Sequence, residues 1–242
     1  MLIRVFTLFT LLIGLCSGEV RRFQNADETK SFFGELVDYD AKKKLVTVKL
    51  QKGNKKIKFA LNILSEDDQK YVLDNADRVA VANNIEITLK KFSDKSKKEL
   101  KPRIVNRVHP SGYTIQVNNR SKKVISNITL NYTLYYAVQD YLKPERKDET
   151  KEGSLTIEKI VAQRKQTHKT ETIDIVSGKL DPVIKNVRRK GADGQDYIEP
   201  VVEKPGGKRK DLLQGCKVDV LVDGKVVKTI TEGTLKVTAD EE

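Results

Sequence analysis

The amino-acid sequence predicts an all-β protein, with a small N-terminal β module followed by a larger antiparallel β-sandwich. Three observations carry this prediction. Apolar residues recur at every second position through most of the chain, most clearly at Ile128, Leu130, Tyr132, Leu134, Tyr136 and Val138. That period places alternate side chains on one face of a half-buried strand. Short polar segments separate the runs, among them Asp223-Gly224 between residues 218–222 and 226–227, a pairing that favours a tight hairpin. A chain of 242 residues with 38% hydrophobic and 33% charged residues, and no Trp, suits thin β layers better than one thick core.

The first unit spans residues 20–74. Residues 32–39 and 45–50 read as strands, and residues 56–61 as a third in which apolar positions alternate. The segments between them are short and polar, and Gly53 lies in the second. Ser65 then precedes Glu66, Asp67 and Asp68. A serine at the N-cap accepts from a free backbone N–H, and three acids suit the positive end of a helix dipole. A short helix is expected over residues 66–74, with Tyr71 and Val72 facing inward. Residues 74–84 read as a connector that extends the helix by a turn and breaks at Asn83-Asn84.

The motifs of this unit follow a recognisable order. They are Arg22-Phe23, then Phe32-x-Gly-Glu-Leu-Val-x-Tyr39, Val46-x-Val-x-Leu50, Lys58-Phe59, and Leu64-Ser65-Glu66-Asp67-Asp68-Gln69-x-Tyr71-Val72. Residues 20–73 thereby resemble the SLA1 homology domain 1 (SHD1) family. The closing Leu-Ser-x-x-Asp-x-x-Tyr-Val is the most specific part. Phe23 stands where the family commonly has Trp, and Glu28 where it usually has Gly in the first turn. The resemblance implies a compact SH3-like β-barrel module. Eukaryotic members bind short peptide sorting signals, and bacterial members occur in exported proteins.

Residues 84–240 form the second unit. Alternation continues at 85–89, 113–117, 128–138, 155–161 and 173–175, then through the hairpin at Asp223-Gly224, and Leu235 and Val237 close the series. Seven or eight strands buried on one face argue for an antiparallel sandwich, immunoglobulin-like or fibronectin-like in architecture but without a Cys–Trp–Cys signature. Two charged or Gly/Pro-rich stretches, 143–153 and 185–211, read as long loop insertions.

Residues 1–18 have the three-part form of a secretory signal peptide: Arg4, an apolar run over 5–15, and Cys16-Ser17-Gly18 as small residues at a cleavage site. A cut after Gly18 is expected, placing the mature chain in the periplasm or outside the cell. Lipid anchoring at Cys16 is less favoured, because Leu15 precedes it where lipoproteins usually carry a smaller residue. Cleavage leaves Cys216 without a disulfide partner. The mature chain has no second apolar run long enough to span a membrane.

The formal net charge is +12. Residues 20–78 hold 13 Lys/Arg against 10 Asp/Glu, and residues 79–242 hold 32 against 23. Such a field favours acidic partners, but the bases are interspersed with acids, the pattern of a solvated surface. Neither His109 nor His168 has neighbours at metal-ligand spacing, and no phosphate loop, serine elbow or Cys–His pair occurs. No metal, cofactor or enzymatic activity is therefore expected. The expected function is an exported interaction protein of the cell envelope, with a protein, peptide or envelope polymer as partner. Candidate peptide contacts are Phe23, Tyr39, Lys56 and Lys58, the aromatic and basic residues of the small module. A basic loop at 204–210 could touch an acidic polymer. Charge-driven binding of nucleic acid or an anionic surface, and cell-surface hydrolysis, are the alternatives, with nucleic acid the less favoured partner.

Overall fold

The computed structural model describes residues 19–192 and 195–235. The expected signal segment, Cys16 and Val237 lie outside the described residues. The fold is all-β, with sixteen described strands and one α-helix.

Strands β1 (Val20–Gln24), β2 (Ser31–Asp40), β3 (Leu45–Leu50) and β4 (Lys56–Ala60) form one antiparallel meander in chain order. Phe23, Leu36, Val46, Val48, Leu61, Leu64 and Val72 make its core. Gly34 sits where β2 and β3 approach closely: a Cβ there would lie 2.4 Å from Val48 Cγ1 and 2.9 Å from the Lys49 carbonyl oxygen. Glu28 adopts φ 53°, the left-handed conformation that glycine takes without steric cost. The first turn thus holds a glycine-type backbone with a glutamate in it.

Helix α1 (Glu66–Asn84) is more than twice as long as the sequence pattern predicts. The break expected at Asn83-Asn84 coincides with the helix end, and the connector before it is helical throughout. Packing on both sides explains this. Val72 is buried in the core of the meander and Val81 in a second, larger core. Nine residues at about 100° per residue place these two valines on opposite faces of the helix. Each contributes roughly 1.5–3 kcal/mol on full burial, enough to hold a weakly amphipathic segment helical.

The larger body is a sandwich. One sheet centres on β7 (Ile104–Asn119). One flank of β7 pairs with β5 (Ile85–Ser93) and then β6 (Lys97–Lys101); the other pairs with β10 (Lys165–Lys169) and β11 (Ile173–Leu180). The gap between β5 and β6 falls at Pro110, whose carbonyl accepts from Asp94 N at 2.8 Å. Within a strand, N–H and C=O of one residue point the same way, so the missing proline donor coincides with the gap. The second sheet runs β16 (Lys225–Gly233), β15 (Leu212–Val222), β8 (Ile125–Gln139), β9 (Arg146–Ile160). Ile115, Val117, Ile128, Leu130, Leu134, Val218 and Val220 interlock between the sheets with at most 0% exposure. Asp223 (φ 49°) and Gly224 (φ 72°) form the β15–β16 turn with both central residues at positive φ, as their sequence predicts.

Neither expected insertion is a loop. Most of 143–153 belongs to β9, which pairs with β8 from Gln139↔Arg146 to Ile125↔Ile160. Its charges suit an edge strand, where they discourage pairing with another chain. The second stretch contains hairpin β12 (Val183–Lys190) and β13 (Asp196–Lys204), followed by β14 (Gly207–Lys210) on the edge of β11. Hairpin and edge strands bury too little to show an apolar alternation, which is why sequence period misses them. Leu235 lies beyond the end of β16.

Asp68 ties the helix to the meander. It is 2% exposed and accepts from Arg21 Nε (2.8 Å), Gln24 N (2.6 Å) and Ser65 Oγ (3.2 Å). Ser65 in turn caps the helix by accepting from Asp68 N. Asp68→Ala is expected to lower unfolding stability by about 3 kcal/mol in urea titrations, carried by the orphaned Gln24 N–H and hydroxyl rather than by half-exposed Arg21. Glu28→Gly is expected to raise it by about 0.5–1 kcal/mol in the same assay, because the left-handed strain is relieved.

Candidate functional site

The small module carries a connected aromatic row. Phe23 stacks on Phe32 with ring centroids 5.5 Å apart and meets Tyr71 edge-on at 6.0 Å; Phe32 meets Phe59 edge-on at 5.8 Å. Because successive strand residues face opposite ways, Phe33 must point outward once Phe32 points in. Phe33 is 54% exposed, opposite Arg22 on β1. It borders a groove of about 430 Å³ whose walls are Phe32, Phe33, Leu50, Gln51 and Lys52. Aromatic and aliphatic groups form the walls, and Lys52 stands at the rim.

The four residues expected to contact a peptide are not brought together. Phe23 is 0% exposed and serves as core, so its ring offers no surface. Tyr39 is half-buried against the same core, opposite Val46, and its carbonyl accepts from Lys123 Nζ at 2.6 Å. Lys56 and Lys58 are exposed on β4, two residues apart on its outer face, opposite Lys49 and Thr47. Sequence reading missed Phe33, Leu50 and Lys52. The available signal was the adjacent pair Phe32-Phe33 in an alternating strand, which forces one ring into solvent.

The basic segment at 204–210 is not a free loop. Arg209 donates to Asp211 through Nε (3.0 Å) and Nη2 (2.7 Å). Asp211, 4% exposed, also accepts from Gln139 N and Val176 N, joining the end of β8 to the middle of β11. That hydrogen-bonded carboxylate raises the Arg209 pKa further above its ordinary value. Lys208 and Lys210 remain exposed. Asn119, which with Arg120 and Ser121 makes an Asn-x-Ser glycosylation sequon, is 0% exposed; it donates to the carbonyls of Lys123 and Ile160 and accepts from Ser121. A folded chain presents no acceptor there.

His109 lies on β7 opposite Ile175, and His168 on β10 opposite Ile115. Among the described residues, no group of three or more His, Cys, Asp and Glu side chains is placed to hold a metal ion. No helix among them is long and apolar enough to cross a membrane.

No protein-family model matches the chain, and no curated protein matches it. Among solved structures, the X-ray structure of Northeast Structural Genomics Consortium target SoR45 is similar over 52% of this chain and 88% of that one, at 13% identity and a TM-score of 0.24. A likeness that small carries no argument about fold or function.

Cys216 faces the sandwich core with 0% exposure, and burial pushes its thiol pKa up to about 12. Burial likewise pushes the Tyr113 phenol up to about 12. Both groups bind their protons more tightly when folded, so stability is expected to hold up to about pH 9 and fall as pH rises towards 12. Urea titrations across that range, with Cys216→Ala as the flatter comparison, measure the effect.

Proposed function

We propose that this protein is an exported, non-enzymatic interaction protein of the cell envelope, whose small module receives an extended peptide in the Phe32–Phe33–Leu50 groove. The observation that carries the proposal is Phe33. Phe33 does not stand alone: with Phe32 and Leu50 it makes one concave apolar surface, and aromatic side chains often anchor interfaces. A groove of about 430 Å³ falls in the size range of side-chain and small-ligand sites. Arg22 beside Phe33 and Lys52 on the rim favour a ligand with an acidic residue next to an apolar anchor. Outer strand β4 pairs on one side only among the described residues, so it offers backbone groups to an added segment, with Lys56 and Lys58 beside it.

The resemblance of residues 20–73 to the SHD1 family supports a peptide ligand, and the form of residues 1–18 supports export. Selection of random peptides on residues 19–242 tests the reading. Enriched peptides are expected to share an aromatic or aliphatic anchor flanked by Asp or Glu. Phe33→Ala is expected to weaken them at least about tenfold while leaving stability within about 0.5 kcal/mol. Failure to enrich, or enrichment indifferent to Phe33→Ala and Lys52→Glu, would refute it.

A further inference from the structure

The outer face of the β16–β15–β8–β9 sheet carries a second concavity, of about 550 Å³, on the larger body. Two cross-strand rows line it. Glu152 on β9, Thr133 on β8 and Lys217 on β15 form one; Ser154, Asn131 and Asp219 on the same three strands form the other. All six point away from the core because their neighbours Tyr132, Leu134, Val218 and Val220 are buried.

These groups are already oriented. Ser154 Oγ donates to Asn131 Oδ1 at 2.8 Å. Asp219 accepts from Thr229 Oγ1 on one oxygen and pairs with Lys217 Nζ at 2.8 Å on the other. Side chains of Lys217 and Asp219 are 38% and 23% exposed, so both keep surface for a ligand. The hydrogen bond to the Asp219 carboxylate raises the Lys217 pKa above its ordinary value, and nearby Glu152 adds to it. Tyr135 is the next outward residue along β8 from Thr133, and is half-buried. It continues the outward row of β8 beyond the concavity.

Charge disfavours one class of ligand, and hydrogen-bonding chemistry selects among the rest. The cleft holds two carboxylates and one ammonium, a net −1, on a chain of net +12. A polyanion drawn to the rest of the surface is repelled here. A neutral ligand must instead meet closely spaced carboxylate acceptors, hydroxyls, an amide and an ammonium donor. A sugar hydroxyl both donates and accepts, so vicinal hydroxyls can satisfy Asp219 or Glu152 as donors and Lys217 or the Asn131 amide as acceptors. Adjacent strands present these groups about 5 Å apart. A concavity of this size lies within the range of small-ligand sites, roughly 300–1,000 Å³.

We infer that this sheet face binds a neutral oligosaccharide, through Asn131, Glu152, Ser154, Lys217 and Asp219, independently of the Phe33 groove. Titration of residues 19–242 with cellohexaose, chitohexaose and mannohexaose, alongside heparin and polygalacturonate, is the experiment. At least one neutral hexaose is expected to bind, with affinity unchanged between about 50 and 500 mM salt. Glu152→Gln and Asp219→Asn should each weaken it about tenfold, whereas Phe33→Ala should leave it unchanged. Glu152 is exposed, so its variant keeps the test valid even if Asp219→Asn loosens the fold. Binding to none of the three, binding to polyanions alone, or hexaose binding indifferent to Glu152→Gln would overturn the inference.

Discussion

Everything in this molecule is organised around a single helix that belongs to two hydrophobic cores. α1 presents Val72 to the meander and Val81 to the sandwich, on opposite faces. Polar contacts reinforce the same joint. β2 bulges between Leu36 and Asp38, and the carbonyl of Val37 accepts from Asn83 Nδ2 at 2.9 Å. Lys123, in the turn before β8, reaches the Tyr39 carbonyl, and Lys228 on β16 reaches the carbonyl of Ile85 where helix becomes strand. A helix with one apolar face could end after two turns. One that is gripped on both sides runs until both cores are filled.

The second constraint is the pleat. A strand cannot turn two neighbouring side chains the same way, so the aromatic pair at Phe32 and Phe33 divides between core and solvent. The module therefore gains both its aromatic core and an exposed ring from one dipeptide. On the larger body, inward Tyr132, Leu134, Val218 and Val220 oblige Asn131, Thr133, Lys217 and Asp219 to face out. Both candidate surfaces are thus products of core packing, with their chemistry set by the residues that alternation leaves outside.

Buried charges hold the places where alternation has no say. Asp68 joins β1 to the first turn of α1, and Asp211 joins the end of β8 to the middle of β11 while holding Arg209. Each carboxylate accepts from main-chain N–H groups that have no ladder partner, which is the condition under which a buried acid is tolerated. Asp68 stands in the most specific part of the motif string, and its position there has a physical cause: it is at once a capping residue and a clasp.

Reading the residues in order was enough to locate β3, the β15–β16 turn, the helix start at Ser65 and the inward face of β8, because each is encoded within a few neighbouring positions. It also foresaw an all-β body. It missed the length of α1, the first half of β9, the strands β6, β10, β12, β13 and β14, and the true exposure of Phe23 and Phe33. Those depend on partners far along the chain: a strand whose apolar face is never covered shows no period, and a helix held by two cores needs no single stripe. Phe23 looked like a contact because aromatic residues serve both cores and surfaces, and only the stack on Phe32 and Tyr71 decides between them. Local order can state which side chains face together; only the folded chain determines which of those faces remains open to a ligand.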